Sequence, residues 1–205
     1  MQVLIIGGAV LAAVAATAFV LAQRSRRAEV NRLAELLPLR EGVTVADIGA
    51  GNGWLTVEIA RRVGRSGRVY STEISTDRLR DIRQAAAAAE LSNVIVLEAG
   101  ERATGLPSEC CDAIFMRRVY HHLTAPSDIL TSIHEALRPG GRLIVIDFRP
   151  DRLAGTVTRM GVDRDEVIRA GTTSGFELIT ADEWPGWDHY VVVFEKSLGS
   201  RSKTQ

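Results

Sequence analysis

The chain of 205 residues has only two cysteines, Cys110 and Cys111, and they are neighbours. Adjacent backbone positions make a mutual bridge strained, so a disulfide scaffold is excluded and a reducing compartment fits. Net charge is also lacking. Lys plus Arg and Asp plus Glu both total 25, so no global field favours nucleic acid and no nucleic-acid partner is expected. His121, His122, His134, His189 and the cysteines show no metal-ligand spacing, and no metal is expected. No internal repeat is visible, nor a linker between two folded domains. The dinucleotide fingerprint G-x-G-x-x-G is missing as well: counting from Gly49 and Gly51, its third glycine falls on Trp54.

What is present is enough apolar residue, 46% of the chain, to bury a full core. Residues 3–22 are apolar or small, with Thr17 the one polar interruption, and Gln23-Arg24-Ser25-Arg26-Arg27 follows. Twenty helical residues reach about 30 Å, the thickness of a bilayer core. The expectation is a transmembrane anchor over 1–22 and a basic juxtamembrane segment over 23–27. By the positive-inside rule, a single-pass membrane protein results, with its catalytic domain facing the cytoplasm. A cleaved signal peptide and a buried core helix are the competing readings; the first lacks a basic n-region and the second lacks a polar face. Gly7, Gly8, Ala12 and Ala16 are small enough for close helix pairing, which allows a homodimer.

Residues 28–196 form the main domain and 197–205 a small, polar, flexible tail. Val30, Leu33, Leu36 and Leu37 recur at helical spacing up to Pro38. Val43, Val45 and Ile48 then give a strand that ends in Gly49-Ala50-Gly51-Asn52-Gly53, with a helix marked by Leu55, Ile59 and Val63 behind it. Further strands are expected over 68–74, 93–97, 111–116, 142–147, 176–180 and 189–195. Helices fall between them, one capped by Ser75 or Thr76, one opened by Pro126 and Asp128, and one by an Asp163/Glu166 capping box. Trp184-Pro185-Gly186-Trp187 reads as the link of a closing hairpin. Alternating strands and helices imply an α/β fold with a mostly parallel sheet covered by helices on both faces.

In such sheets ligands bind beyond the carboxyl ends of the strands, at the switch point. The residues there are Gly49 to Gly53, Glu73 and Ile74, Gly100 and Glu101, Arg117, and Asp147. Glu73 follows the glycine turn by about twenty residues, the separation at which an acid takes both ribose hydroxyls. Asp47 inside the turn suits an ammonium better than a pyrophosphate.

The chain resembles a class I S-adenosylmethionine-dependent methyltransferase, and is distantly similar to the quinone-biosynthesis methyltransferases. The resemblance rests on Val45-Ala46-Asp47-Ile48-Gly49-Ala50-Gly51-Asn52-Gly53, on Glu73, on Leu106-Pro107 with Cys111-Asp112-Ala113, and on Leu137-Arg138-Pro139-Gly140-Gly141. It implies a Rossmann-like seven-stranded sheet with its last strand antiparallel, here preceded by the N-terminal transmembrane helix. It implies S-adenosyl-L-methionine as cofactor, with Asp47, Gly49, Ala50, Gly51, Asn52 and Gly53 around its methionine part. Glu73 is implied on the ribose, Ile74 on the adenine, and Gly100 and Glu101 near the adenine edge; Arg117, at the end of the fourth strand, is a further cofactor-binding candidate, with a structural pairing to Asp47 or Asp112 as the competing reading. Many relatives carry an Asp after the third strand; here Glu98 and Glu101 stand in that region, and solvated loop charge is the competing reading.

Tyr120, His121 and His122 follow the fourth strand, where relatives of this type bring the acceptor to the cofactor. Acid–base catalysis, a cofactor or acceptor wall, and a metal site are the three readings of the His pair. Trp184 and Trp187 read as an acceptor platform, as interface anchors or as hairpin packing. The expected function is methyl transfer from S-adenosylmethionine to a small-molecule or lipid-like acceptor, reached through the membrane contact of the N-terminal helix. A non-catalytic cofactor-binding scaffold at the membrane is the alternative.

Overall fold

The structure is a computed structural model that describes residues 2–150, 160–184 and 188–198, with side chains from Ala16 onward. Helix α1 runs from Gln2–Leu36. The chain divides into two compact units, one ending at Glu35 and the other beginning at Leu36. In the second unit the elements follow in the order β1 (Thr44–Ile48), α2 (Trp54–Val63), β2 (Arg68–Glu73), α3 (Thr76–Ala88), β3 (Val94–Glu98), β4 (Cys111–Arg117), a 3-10 turn (Tyr120–His122), α4 (Pro126–Ala136), β5 (Leu137–Phe148), α5 (Arg164–Thr173), β6 (Phe176–Trp184) and β7 (His189–Lys196).

The expected transmembrane anchor is not supported. Among the described residues no helix is long and apolar enough to cross a membrane, and the single-pass, cytoplasm-facing localisation loses its premise with it. In α1 the run of apolar residues ends at Ala22. The helix then continues through Arg24, Arg26, Arg27, Glu29, Arg32 and Glu35 without a break. Nothing in residues 23–27 can stop a helix, since neither Gly nor Pro is present, so the apolar run is one part of a longer charged helix.

The seven strands form one sheet in the order β3-β2-β1-β4-β5-β7-β6. β7 pairs antiparallel with both neighbours, and the other pairs are parallel. That is the expected mostly parallel sheet with its last strand reversed. Its central strands are covered on both faces, so Val45, Ala46, Ile114, Phe115, Met116, Ile144, Val145, Val192 and Phe194 are all essentially inaccessible. Such strands are read from unbroken apolar runs rather than alternation. Helix α2 buries Leu55, Ile59 and Val63 at the expected spacing and ends at Gly64 with φ 68°. Asp163 caps α5 by accepting from the Asp165 N–H at 2.7 Å.

Two strands are longer than expected. β5 begins at Leu137 rather than residue 142, with a register irregularity opposite Cys111 and Ala113. β6 continues to Trp184 because Ala181, Asp182 and Glu183 pair with Val192, Val191 and Tyr190. An edge strand tolerates that polar stretch because one side meets solvent. Trp184 is buried in β6; Pro185, Gly186 and Trp187 lie outside the described residues.

Between β1 and β4 the strand order reverses direction. The carboxyl ends of β1, β2, β4 and β5 therefore open onto one crevice.

Candidate active site

The crevice is built first by the turn after β1. Gly49, Gly51 and Gly53 adopt φ of 66°, 58° and 76°, a region costly for any side chain. A Cβ at Gly49 would lie 2.5 Å from Val119 Cγ2, and one at Gly53 3.0 Å from the Ile82 Cα; at Gly51 nothing lies within 4 Å. The outer glycines thus serve packing, whereas the middle one keeps open space beside its backbone. The turn is held by Gly49 and Ala50 N–H groups donating to the Thr72 carbonyl at 2.9 and 3.1 Å. Asn52 accepts the Trp54 N–H at 3.3 Å and starts α2.

Glu73, at the end of β2, reaches across to this turn. One carboxylate oxygen accepts the Gly51 N–H at 3.0 Å and the other its neighbour's, Ile74 N–H, at 2.9 Å. Each oxygen retains a lone pair for a diol. The acid is therefore oriented in advance at the rim of the open space.

Asp47 does something different. It is buried beneath the turn, accepts the Thr56 hydroxyl at 2.7 Å, and Thr56 in turn meets the Ser71 hydroxyl at 3.0 Å. Burial raises its pKa to about 7, opposed by the Thr56 bond and the Arg117 charge. Asp47 thus ties β1, α2 and β2 together. It does not line the cavity.

Over these strand ends lies a cavity of about 310 Å³. Ile48, Gly49, Thr72, Glu73 and Ile74 form one side, and the loop Ala99, Gly100, Glu101 and Thr104 another. That loop is fixed at both ends: Ala99 N–H donates to the Glu73 carbonyl at 3.0 Å, and the Ser132 hydroxyl of α4 accepts the Thr104 N–H at 3.0 Å. Val119, Leu123 and Ile129 supply an apolar wall, joined by Arg118, His122 and Thr124.

Beyond β4 and β5 sits a polar cluster. Asp147 is fully buried and faces three donors: His121 Nδ1 at 2.6 Å, the His121 N–H at 3.2 Å and the Phe148 N–H at 2.7 Å. The His121 ring is thereby fixed in position, with its Nε2 buried and without a hydrogen-bond partner among the described residues. The His122 ring lies 3.9 Å from it, centroid to centroid, and His122 lines the cavity. Tyr190 stands opposite Asp147 in the β5–β7 register, and its buried hydroxyl also lacks a partner. Burial, and then the Asp147 charge, push that hydroxyl's pKa up. Arg118, at φ 59°, donates from Nε to His189 Nε2 at 2.8 Å. Burial and the Arg118 charge hold His189 down at about 4, so it accepts as a neutral ring.

Of the expected cofactor residues, the cavity gathers Gly49, Glu73, Ile74, Gly100 and Glu101; Ala50, Gly51, Asn52 and Gly53 form the turn behind it. Arg117 lies 5.6 Å over the Trp54 ring rather than on the cavity. Tyr120 is buried in the core, its pKa pushed up to about 12 by burial. Sequence reasoning marked Asp147 as a strand-end residue without giving it a role, and it missed Thr72, Thr104, Arg118, Val119, Leu123 and Tyr190. Val119 and Leu123 flank the His pair and were within reach. Tyr190 was not, because only the strand pairing brings it there. Among the described residues no group of three or more His, Cys, Asp or Glu side chains is placed to hold a metal ion.

The residues fit the implied cofactor. The open space over Gly51 is one that a Cβ would fill, and it adjoins a carboxylate already turned toward it. Comparison with known proteins agrees. The family model described as "Methyltransferase domain" matches residues 39–186, well over half of the chain. The ubiquinone/menaquinone biosynthesis C-methyltransferase of Marinomonas sp. (strain MWYL1) is 34% identical over 111 residues, which is 54% of this chain and 44% of that protein. The corresponding protein of Escherichia fergusonii is 32% identical over the same extent. The chain thus matches less than half the length of these curated relatives. A S-adenosylmethionine-dependent methyltransferase structure from Aquifex aeolicus superposes with TM-score 0.71 at 24% identity, covering 82% of this chain and 97% of that one. That likeness shows the fold. The chain belongs to the methyltransferase-domain family.

Proposed function

We propose that this protein transfers a methyl group to a small, largely apolar, lipid-like acceptor that carries an ionisable hydroxyl, and that His121 takes the proton. The observation that carries the reading is the buried His121 Nε2, left without a partner while Asp147 holds Nδ1 at 2.6 Å. A fixed Nδ1–H leaves Nε2 as the acceptor, and the buried carboxylate stabilises the imidazolium that forms. The apolar wall of Val119, Leu123 and Ile129 fits a hydrocarbon body. The names of the curated relatives, C-methyltransferases of quinone biosynthesis, suggest a quinol-like ring as the acceptor class.

The cofactor supplies an activated methyl group on a sulfonium. The turn at Gly49 to Gly53 and the Glu73 carboxylate are suited to hold it, with Ile74 against its base and Gly100 and Glu101 at that base's edge. His122, whose ring lies 3.9 Å from that of His121, lines the cavity next to that residue. The protein's own work is then alignment, exclusion of water and removal of one proton.

Purified protein incubated with methyl-labelled S-adenosylmethionine and a naphthoquinol bearing a short isoprenoid tail tests the reading. Label in the organic extract, on the ring, is the expected result. Binding of S-adenosylhomocysteine with no transfer to this quinol or to a simple phenol would overturn it and favour the non-catalytic scaffold.

A further inference from the structure

A second chemical feature lies at the other end of β4. Consecutive residues of an extended strand point to opposite faces, yet the Sγ atoms of Cys110 and Cys111 are 2.8 Å apart, one thiol donating to the other. The backbone explains the meeting. Glu109 adopts φ 48° just before the pair, and the strand pairing is irregular between Cys111 and Ala113 just after it.

Both flanks are pinned. The Glu109 N–H donates to the Glu135 carbonyl at 2.9 Å, and the Arg138 Nε donates to the Glu109 carbonyl at 3.2 Å. The Asp112 carboxylate accepts the Thr44 N–H at 2.7 Å and pairs with Arg138 at 2.5 Å. The thiols are thereby held in contact. Cys110 is half-buried and reachable from solvent, while Cys111 is enclosed. The hydrogen bond from Cys111, aided by the Arg138 charge, lowers the Cys110 pKa; the same contact and burial raise that of Cys111. One partner is thus an accessible nucleophile and the other a resident resolving thiol.

We propose that Cys110 and Cys111 are a two-electron modification site that closes to a reversible vicinal disulfide when a peroxide is the oxidant. The Cys110 thiolate attacks the peroxide oxygen, breaking the O–O bond and giving a sulfenic acid and hydroxide. The Cys111 sulfur then displaces the sulfenic oxygen, which leaves as water with the Cys111 proton; the hydroxide takes up the proton that Cys110 had released. Two thiols and one hydrogen peroxide give one disulfide and two waters. Consecutive Cα atoms are about 3.8 Å apart, below the usual disulfide range of about 4.4–6.8 Å, so the bond is strained and readily reduced. Arg117 closes the far end of the strand, about 20 Å away, so the pair stands apart from the cavity.

The full chain is treated with hydrogen peroxide, alkylated, and cleaved after arginine; the peptide of residues 103–117 carries both thiols. The expected result is loss of both alkyl groups and a mass lower by about 2 Da, each restored by prior treatment with a monothiol such as glutathione. A peptide that still takes two alkyl groups, that stops at a sulfinic acid, or that links two chains would overturn the proposal. Oxidation of Met116 leaves the alkylation count unchanged. In Cys110→Ser one alkyl group is expected to persist after peroxide, and the wild-type measurement stands without it if that variant does not fold.

Discussion

The two sides of the crevice are built on opposite plans. Beside β1 and β2 the polar groups answer one another: Asp47 to Thr56 to Ser71, and Glu73 to the backbone of Gly51 and Ile74. Beyond β4 and β5 the cluster is held just as firmly through Asp147, but His121 Nε2 and the Tyr190 hydroxyl end without partners. Leaving a buried polar atom unpaired costs about 1–3 kcal/mol. The first side is a finished cradle whose shape precedes the ligand. The second leaves two buried polar atoms unmet among the described residues.

The largest effect is expected on the unfinished side. His121→Asn removes the Nε2 acceptor, and the methylation rate should fall roughly 10²–10⁴-fold, the usual contribution of a positioned base. The affinity for S-adenosylhomocysteine should stay within about twofold. A variant that keeps the wild-type rate would show that the two sides do not divide the work in this way.

The finished side is expected to fail through affinity. Gly51→Val places a branched side chain in the space where nothing lies within 4 Å, at φ 58°. Calorimetric titration should show affinity for S-adenosylhomocysteine reduced by on the order of 100-fold, about 2.7 kcal/mol. The backbone strain adds about 1–2 kcal/mol of lost stability. Unchanged affinity would move the cofactor away from the turn.

This difference also explains what the sequence made legible. The cradle is local: strand, glycines and helix succeed one another between Val43 and Trp54, and Glu73 follows at a spacing that strand and helix lengths enforce. The fold was legible for a related reason, since buried parallel strands are unbroken apolar runs. His121 could be named as a candidate, yet not its role, because Asp147 comes from the next strand and Tyr190 from β7, forty-three residues further on (190 − 147). Contacts fixed by register leave no spacing to read. The N-terminal run misled for a different reason: twenty apolar residues were read as an element of their own, whereas the described helix carries on through six charged residues.

Asp47 separates cradle-building from ligand contact most finely, and its effect is expected to be the smallest on binding. Its pKa is raised from 3.8 to about 7, chiefly by burial. An acid whose folded pKa is raised binds more protons in the folded state than in the unfolded one. Its contribution is therefore fully present below pH 4 and lost as pH rises from about 4 to 7. At most this amounts to on the order of 4 kcal/mol. Asn in its place stays neutral throughout and can still accept the Thr56 hydroxyl. Asp47→Asn should therefore gain on the wild type in urea-unfolding stability between pH 5 and pH 7.5, at roughly unaltered S-adenosylhomocysteine affinity at the lower pH. Parallel stability curves would mean that Asp47 is already charged and met by a cation in the folded protein. A large loss of affinity with parallel curves would mean that it faces the ligand's ammonium directly, joining the cradle's surface instead of its foundation.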